Sequence, residues 1–66
     1  MIMTLYRLET DEYGHCPWRQ TLEQWQRDLS AVCSIHGWEA PELRVMDGGE
    51  RVVDQRGVTV LVREMA

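Results

Sequence analysis

Two short pairs hold every cysteine and histidine in this chain: His15-Cys16 and Cys33-x-x-His36. Two thiolates and two imidazoles would suit a tetrahedral zinc site, and a Cys beside a His could form an activated nucleophile. Spacing argues against both. Cys33 falls within a predicted helix, about 18 Å along its axis from Thr21 at ~1.5 Å per residue. Cys16 lies just before Thr21 and reaches back at most ~17 Å even if fully extended. The pairs could meet only if that segment ran straight along the helix, which also disfavours a Cys16–Cys33 disulfide. A nucleophile at Cys16 would further need a base in register and an oxyanion site, and adjacent side chains commonly diverge. The expectation is no metal, no cofactor and no catalytic residue: a non-enzyme.

The helix that separates these residues is legible from end to end. Thr21-Leu22-Glu23-Gln24 is a capping box, and Gly37 sits where a left-handed residue would close the helix. Leu22, Trp25, Leu29, Val32, Cys33 and His36 share one stripe, while Glu23, Arg27, Ser30, Ala31 and Ser34 occupy the other side. Trp38, directly after Gly37, should pack back on Cys33, making Cys33 a buried apolar residue and His36 a partly buried cation at the helix's negative end.

Strands surround it. Met3 to Leu8 alternates and reads as a first strand, followed by a long loop from Glu9 to Gln20. Leu43 to Met46 forms a second strand, with Pro41 compatible only with its edge or start. Asp47-Gly48-Gly49-Glu50 is a hairpin turn rather than a phosphate loop, because a strand follows it and not a helix. Arg51 to Asp54 returns, Gln55-Arg56-Gly57 turns again, and Val58 to Glu64 closes the chain. In that last strand Val58, Val60 and Val62 should share one face, with Thr59, Leu61 and Arg63 on the other. The order is β-α-β-β-β: a single α+β domain over 1–66, one helix packed on a small, mainly antiparallel sheet. The first strand could lie parallel to the second or, with the long loop crossing the sheet, antiparallel to it.

Composition narrows the function classes. The 66 residues carry a net charge of −4, so the basic footprint of a nucleic-acid binder is missing. There is no Lys, Asn or Phe but seven Arg, a bias toward G/C-rich codons that suggests a high-GC bacterium or its phage. No apolar run is long enough to span a bilayer and no leader is recognised, so a cytoplasmic protein is expected. Met1 or Met3 could be the native start.

Three surfaces could bind a partner. Trp18, in the loop beside Pro17 and Arg19, has no evident structural duty, and Trp and Arg dominate interface hot spots. The sheet face opposite the helix should mix Arg7, Arg44 or Arg63 with Leu, Met or Thr, suiting a dimer or partner interface. The carboxylates of Glu9, Asp11, Glu12, Glu23, Asp28, Asp47, Glu50 and Asp54 could imitate a phosphate track; the plainer reading is a solvated surface.

Small size, acidic surface, a lone helix on a sheet and the high-GC signature resemble the small inhibitors carried by phages and mobile elements, of which anti-CRISPR proteins are the best-known group. The resemblance is one of class and transfers no functional residues. It implies a protein that binds a host nucleic-acid-handling complex, such as a CRISPR-Cas effector, and blocks nucleic-acid entry or nuclease recruitment. The carboxylates above would pair with Arg and Lys of the target, and Trp18 or the open sheet face would anchor it. Two alternatives stand beside it. One is a structural or regulatory homodimer, antitoxin-like or a phage accessory protein. The other is a small nucleic-acid-binding module using Arg7, Arg44, Arg51 and Arg63.

Overall fold

A computed structural model describes residues 3–14 and 18–64. The expectations for His15 and Cys16 lie outside the described residues. The elements run β1 (Leu5–Leu8), α1 (Leu22–His36), β2 (Arg44–Met46), β3 (Arg51–Val53) and β4 (Thr59–Glu64), with a tight turn at Asp47–Gly49 in which all three residues have positive φ. The helix packs on one face of a four-stranded antiparallel sheet, as the alternation and capping signals imply.

Both helix ends are built as their residues dictate. The Thr21 hydroxyl accepts from the Gln24 N–H, and the Gln24 side chain accepts from the Thr21 N–H at 3.1 Å. At the other end Gly37 adopts φ 72°, a conformation that suits glycine. The Trp38 N–H then donates to Cys33 O at 2.8 Å and the Gly37 N–H to Ser34 O at 3.3 Å, a complete Schellman closure. Its side chains depart from expectation. Trp38 is 48% exposed, and its ring stacks on His36 with centroids 4.4 Å apart instead of covering Cys33. His36 is exposed, not partly buried, while Cys33 is fully buried.

Strand order is β1-β4-β3-β2. The first strand therefore joins neither side of β2; it lies at the opposite edge, antiparallel to β4. Its outer side is partly occupied, because Tyr6 and Gln20 exchange backbone hydrogen bonds of 2.8 and 3.1 Å. That bridge fixes the end of the long loop and delivers the chain into α1.

Tyr6 ties the layers together. Its carbonyl accepts the Trp25 indole N–H at 2.7 Å, and its hydroxyl donates to Gly49 O at 2.9 Å. Buried polar groups need such partners. With Tyr6, the core comprises Trp25, Leu29, Val52, Val60 and Leu61.

Val60 and Leu61 are neighbours in β4, yet both are fully buried and both join this core. Strict alternation forbids that, and a register shift explains it. Val52 pairs with Leu61, but Val53 pairs with Thr59, so Val60 is the extra residue of a bulge. The expected division of β4 into a valine face and a Thr59–Leu61–Arg63 face is corrected accordingly.

Candidate functional site: an apolar groove beside the helix

Among the described residues, the ionisable side chains largely satisfy one another. Arg7 pairs with Glu9 and Glu64, and Arg19 also reaches Glu64. Arg27 pairs with Glu23, Arg51 with Asp47, Arg63 with Glu50, and Arg56 with both Glu12 and Asp54. Arg44 has no such partner among the described residues, and the carboxylates without an arginine are Asp11, Asp28, Glu39 and Glu42. Pairing leaves little free positive charge for a phosphate backbone, and it thins the acidic track as well.

Asp54 is removed from the candidate contact residues. It is fully buried, where it clamps the β3–β4 turn. Its Oδ1 accepts from the Arg56 and Val58 N–H groups at 2.9 and 3.0 Å, and its Oδ2 accepts from Arg56 Nε and Nη2 at 3.0 and 2.6 Å. Burial alone would raise this carboxyl, but those hydrogen bonds outweigh it and hold Asp54 below the ordinary carboxylate value. Arg56 then donates to Glu12, tying the long loop to the turn; the Glu12 and Asp54 hydrogen bonds together raise the guanidinium, which stays charged.

Next to that tie, Tyr13 packs against the core. Desolvation, then the nearby charges of Glu12 and Asp54, raise its phenol above the ordinary value, so it stays neutral. Tyr13 marks one end of the feature that stands out in this molecule. Between loop and helix runs a groove of about 250 Å³, lined by Leu8, Tyr13, Trp18, Trp25, Asp28, Leu29, Ala31, Val32 and Ile35. Trp25 and Leu29 are core residues forming its inner wall. Trp18 and Ile35 form its lips, 65% and 81% exposed. Exposed apolar groups of this size gathered on one surface mark interaction sites more often than scattered ones do.

The helix positions one side of the groove by simple geometry. At 100° per residue, Ile35 lies about 80° around the helix from Trp25, and Asp28 about 60° in the same direction. These residues sit on the shoulder of the buried stripe, beside the core and not in it. Asp28 is the only ionised group among the described residues of the lining, and its Oδ2 accepts from Gln20 Nε2 at 2.8 Å.

Of the expected contact residues, the structure thus brings together Trp18 and Asp28. Glu12 faces a second hollow, shared with Tyr13, Trp38, Glu39, Gln55 and Arg56. Glu9 is held by Arg7, Glu23 lies along the exposed helix, and Asp47 and Glu50 sit at the far hairpin. Asp11 is exposed in the loop. They do not converge on one site. Sequence reasoning missed Ile35 and Ala31. The available signal was a bulky apolar residue on the helix shoulder, outside the stripe that the core requires.

The face opposite the helix is the other open surface. Register places Arg7, Val62, Arg51 and Met46 in one row across it, with Leu5 and Arg44 on the same side. Arg63 lies opposite Tyr6 and so belongs to the helix side, not to this face as one register allowed. Among the described residues, no group of three or more His, Cys, Asp or Glu side chains could hold a metal ion. Cys33 points into the protein while His36 stacks on Trp38, so the helical pair does not converge on a common ligand. No described helix is long and apolar enough to cross a membrane. Comparison with protein-family models, curated proteins and solved structures returns no match from which a family could be assigned.

Proposed function

We propose that this chain is a non-catalytic binding protein whose contact surface is the groove between the long loop and α1. The observation that supports this reading is the pair of exposed lips, Trp18 and Ile35, over an apolar floor. At about 250 Å³ the groove falls below the ~300–1,000 Å³ of pockets that enclose small ligands. It suits the anchoring side chains of another protein.

The proposal extends to the kind of partner. A net charge of −4 favours a basic surface, and nucleic-acid-handling proteins present one. An inhibitor of such a complex, of the anti-CRISPR kind, would seat apolar anchors in the groove and face the target there with Asp28. The test is direct: a purified CRISPR-Cas effector is assayed for target binding and cleavage with and without the chain. Stoichiometric loss of either activity, relieved by Ile35→Glu, supports the reading; full activity at saturating chain opposes it for that effector.

A second reading rests on a separate observation. The face carrying Leu5, Val62 and Met46 among Arg7, Arg44 and Arg51 is not covered by the helix, and every residue of β2 is exposed at the sheet's edge. That surface suits a homodimer. Sedimentation equilibrium at high concentration decides it: a dimer mass supports self-association, and a strictly monomeric mass removes it.

A further inference from the structure

We propose that the groove takes an amphipathic helix from the partner protein, bearing apolar residues at i, i+3 or i+4, and i+7 with an Arg or Lys beside them that pairs with Asp28. This deepens the functional reading above and rests on it.

Three observations converge on that occupant. The first is coverage. Four strands at ~4.8 Å span about 19 Å, while one helix is ~10 Å across. The groove lies beside α1 and reaches the sheet at Leu8, the last residue of β1, so on that side the helix is bordered by Tyr13 and Trp18 of the long loop and not by a second helix. A second helix is the element that normally completes such a layer.

The second observation separates helix from strand. An extended peptide would bind by adding to the β1 edge through main-chain hydrogen bonds. Tyr6, in the middle of β1, already spends its outward N–H and C=O on Gln20. That edge is therefore blocked to strand addition at Tyr6. A helix satisfies its own backbone groups and needs only an apolar seat.

Charge complementarity is the third. Asp28 is the sole ionised lining group and has no arginine partner among the described residues. Its Oδ2 is held by Gln20, and among the described residues no protein group donates to Oδ1. Asp28, Ala31, Val32 and Ile35 are spaced i, i+3, i+4 and i+7, giving two helical turns of seat with the acid at one end. A partner helix of matching period would set its anchors between Trp18 and Ile35 and its cation on Asp28.

The experiment is a display selection against the full chain, using a library of helical peptides of about 15 residues, near the length at which isolated helices form, alongside an equally diverse library of extended peptides. The expected result is enrichment from the helical library of sequences with the i, i+3/i+4, i+7 apolar pattern and a flanking Arg or Lys. Selection against Asp28→Lys should replace that cation with Glu or Asp. Ile35→Glu, whose thermal unfolding should match the parent because Ile35 is 81% exposed, should weaken the selected peptides by roughly thirtyfold or more. Enrichment of extended peptides only, no enrichment from either library, or helical peptides indifferent to Ile35→Glu would each overturn the inference. The effector assay is independent of this selection: inhibition relieved by Ile35→Glu, with only extended peptides enriched, would sink the helical occupant and leave the functional reading standing.

Discussion

The β3–β4 turn and the groove lie on the same small domain and handle their surfaces in opposite ways. At the turn, a fully buried Asp54 accepts four hydrogen bonds from Arg56 and Val58, and Arg56 carries the connection on to Glu12. Beside the helix, Trp18 and Ile35 present most of their apolar surface to solvent. A domain of this length buries only ~60% of the surface its unfolded chain exposes and has little stability to spare. Leaving two large apolar side chains outside the core is a cost that a binding surface explains. The turn maintains the fold; the groove is what the fold makes available.

Substitutions separate the two regions, beginning with the largest expected effect. Asp54→Ala leaves the Arg56 and Val58 N–H groups without their acceptor and should destabilise the domain by about 2–4 kcal/mol, read from chemical denaturation. Affinity of the remaining folded molecules for a partner should change far less than their number. Trp18→Ala should do the reverse, costing ~2 kcal/mol or more of binding while shifting unfolding by under about 0.5 kcal/mol. If Trp18→Ala unfolds the domain instead, the groove belongs to the core and the contrast fails.

Acid sharpens the comparison. The Asp54 carboxyl lies below its ordinary value in the folded state, so the unfolded chain takes up a proton there first as pH falls. Its contribution is complete above the ordinary carboxylate range and is lost as pH drops toward and through the lowered folded value. Asp54→Asn should flatten the acid limb of the stability–pH curve, measured by thermal unfolding between neutral and strongly acidic pH. Smaller still, Thr21→Ala should cost about 1 kcal/mol through loss of the N-cap. Glu23→Gln should cost only ~0.3 kcal/mol and become undetectable in high salt, since its Arg27 pair is exposed.

How much of this was legible in the sequence follows from how local each feature is. The bounds and caps of the helix were readable, because Thr21, Gln24 and Gly37 act within a single turn of their own positions; the exposure of His36 and Trp38 was not. The three C-terminal strands were readable to within a residue, because Asp47-Gly48-Gly49 and Arg56-Gly57 punctuate them. The position of β1 was not. It depends on a Tyr6–Gln20 bridge and on pairing with β4, contacts between distant parts of the chain. Nor does anything in Val58 to Glu64 announce a bulge at Val60; the extra residue is set by where β3 pairs.

The candidate site divides in the same way. Trp18 was identified by its residue type and its loop position, but its neighbours come from two other segments, Leu8 from β1 and Val32 and Ile35 from α1. Asp54 looked like any hairpin carboxylate, although Asp before a tight turn is the residue whose side chain bonds its own backbone two residues on. The ion pairs between Arg63 and Glu50 and between Arg56 and Glu12 are tertiary, so a scan of acidic residues overstated the charge free to meet a partner.

Capture from a bacterial lysate separates the groove from the carboxylates. The tagged chain, its Ile35→Glu variant and a variant reversing Asp11, Glu39 and Glu42 are used to capture proteins from the lysate of a bacterium carrying a CRISPR system, with quantitative mass spectrometry of what each retains. A groove-centred contact requires that a stoichiometric partner be kept, at reduced yield, by the charge-reversed chain and lost by Ile35→Glu. Retention by Ile35→Glu with loss on charge reversal would contradict it and return the function to the carboxylates.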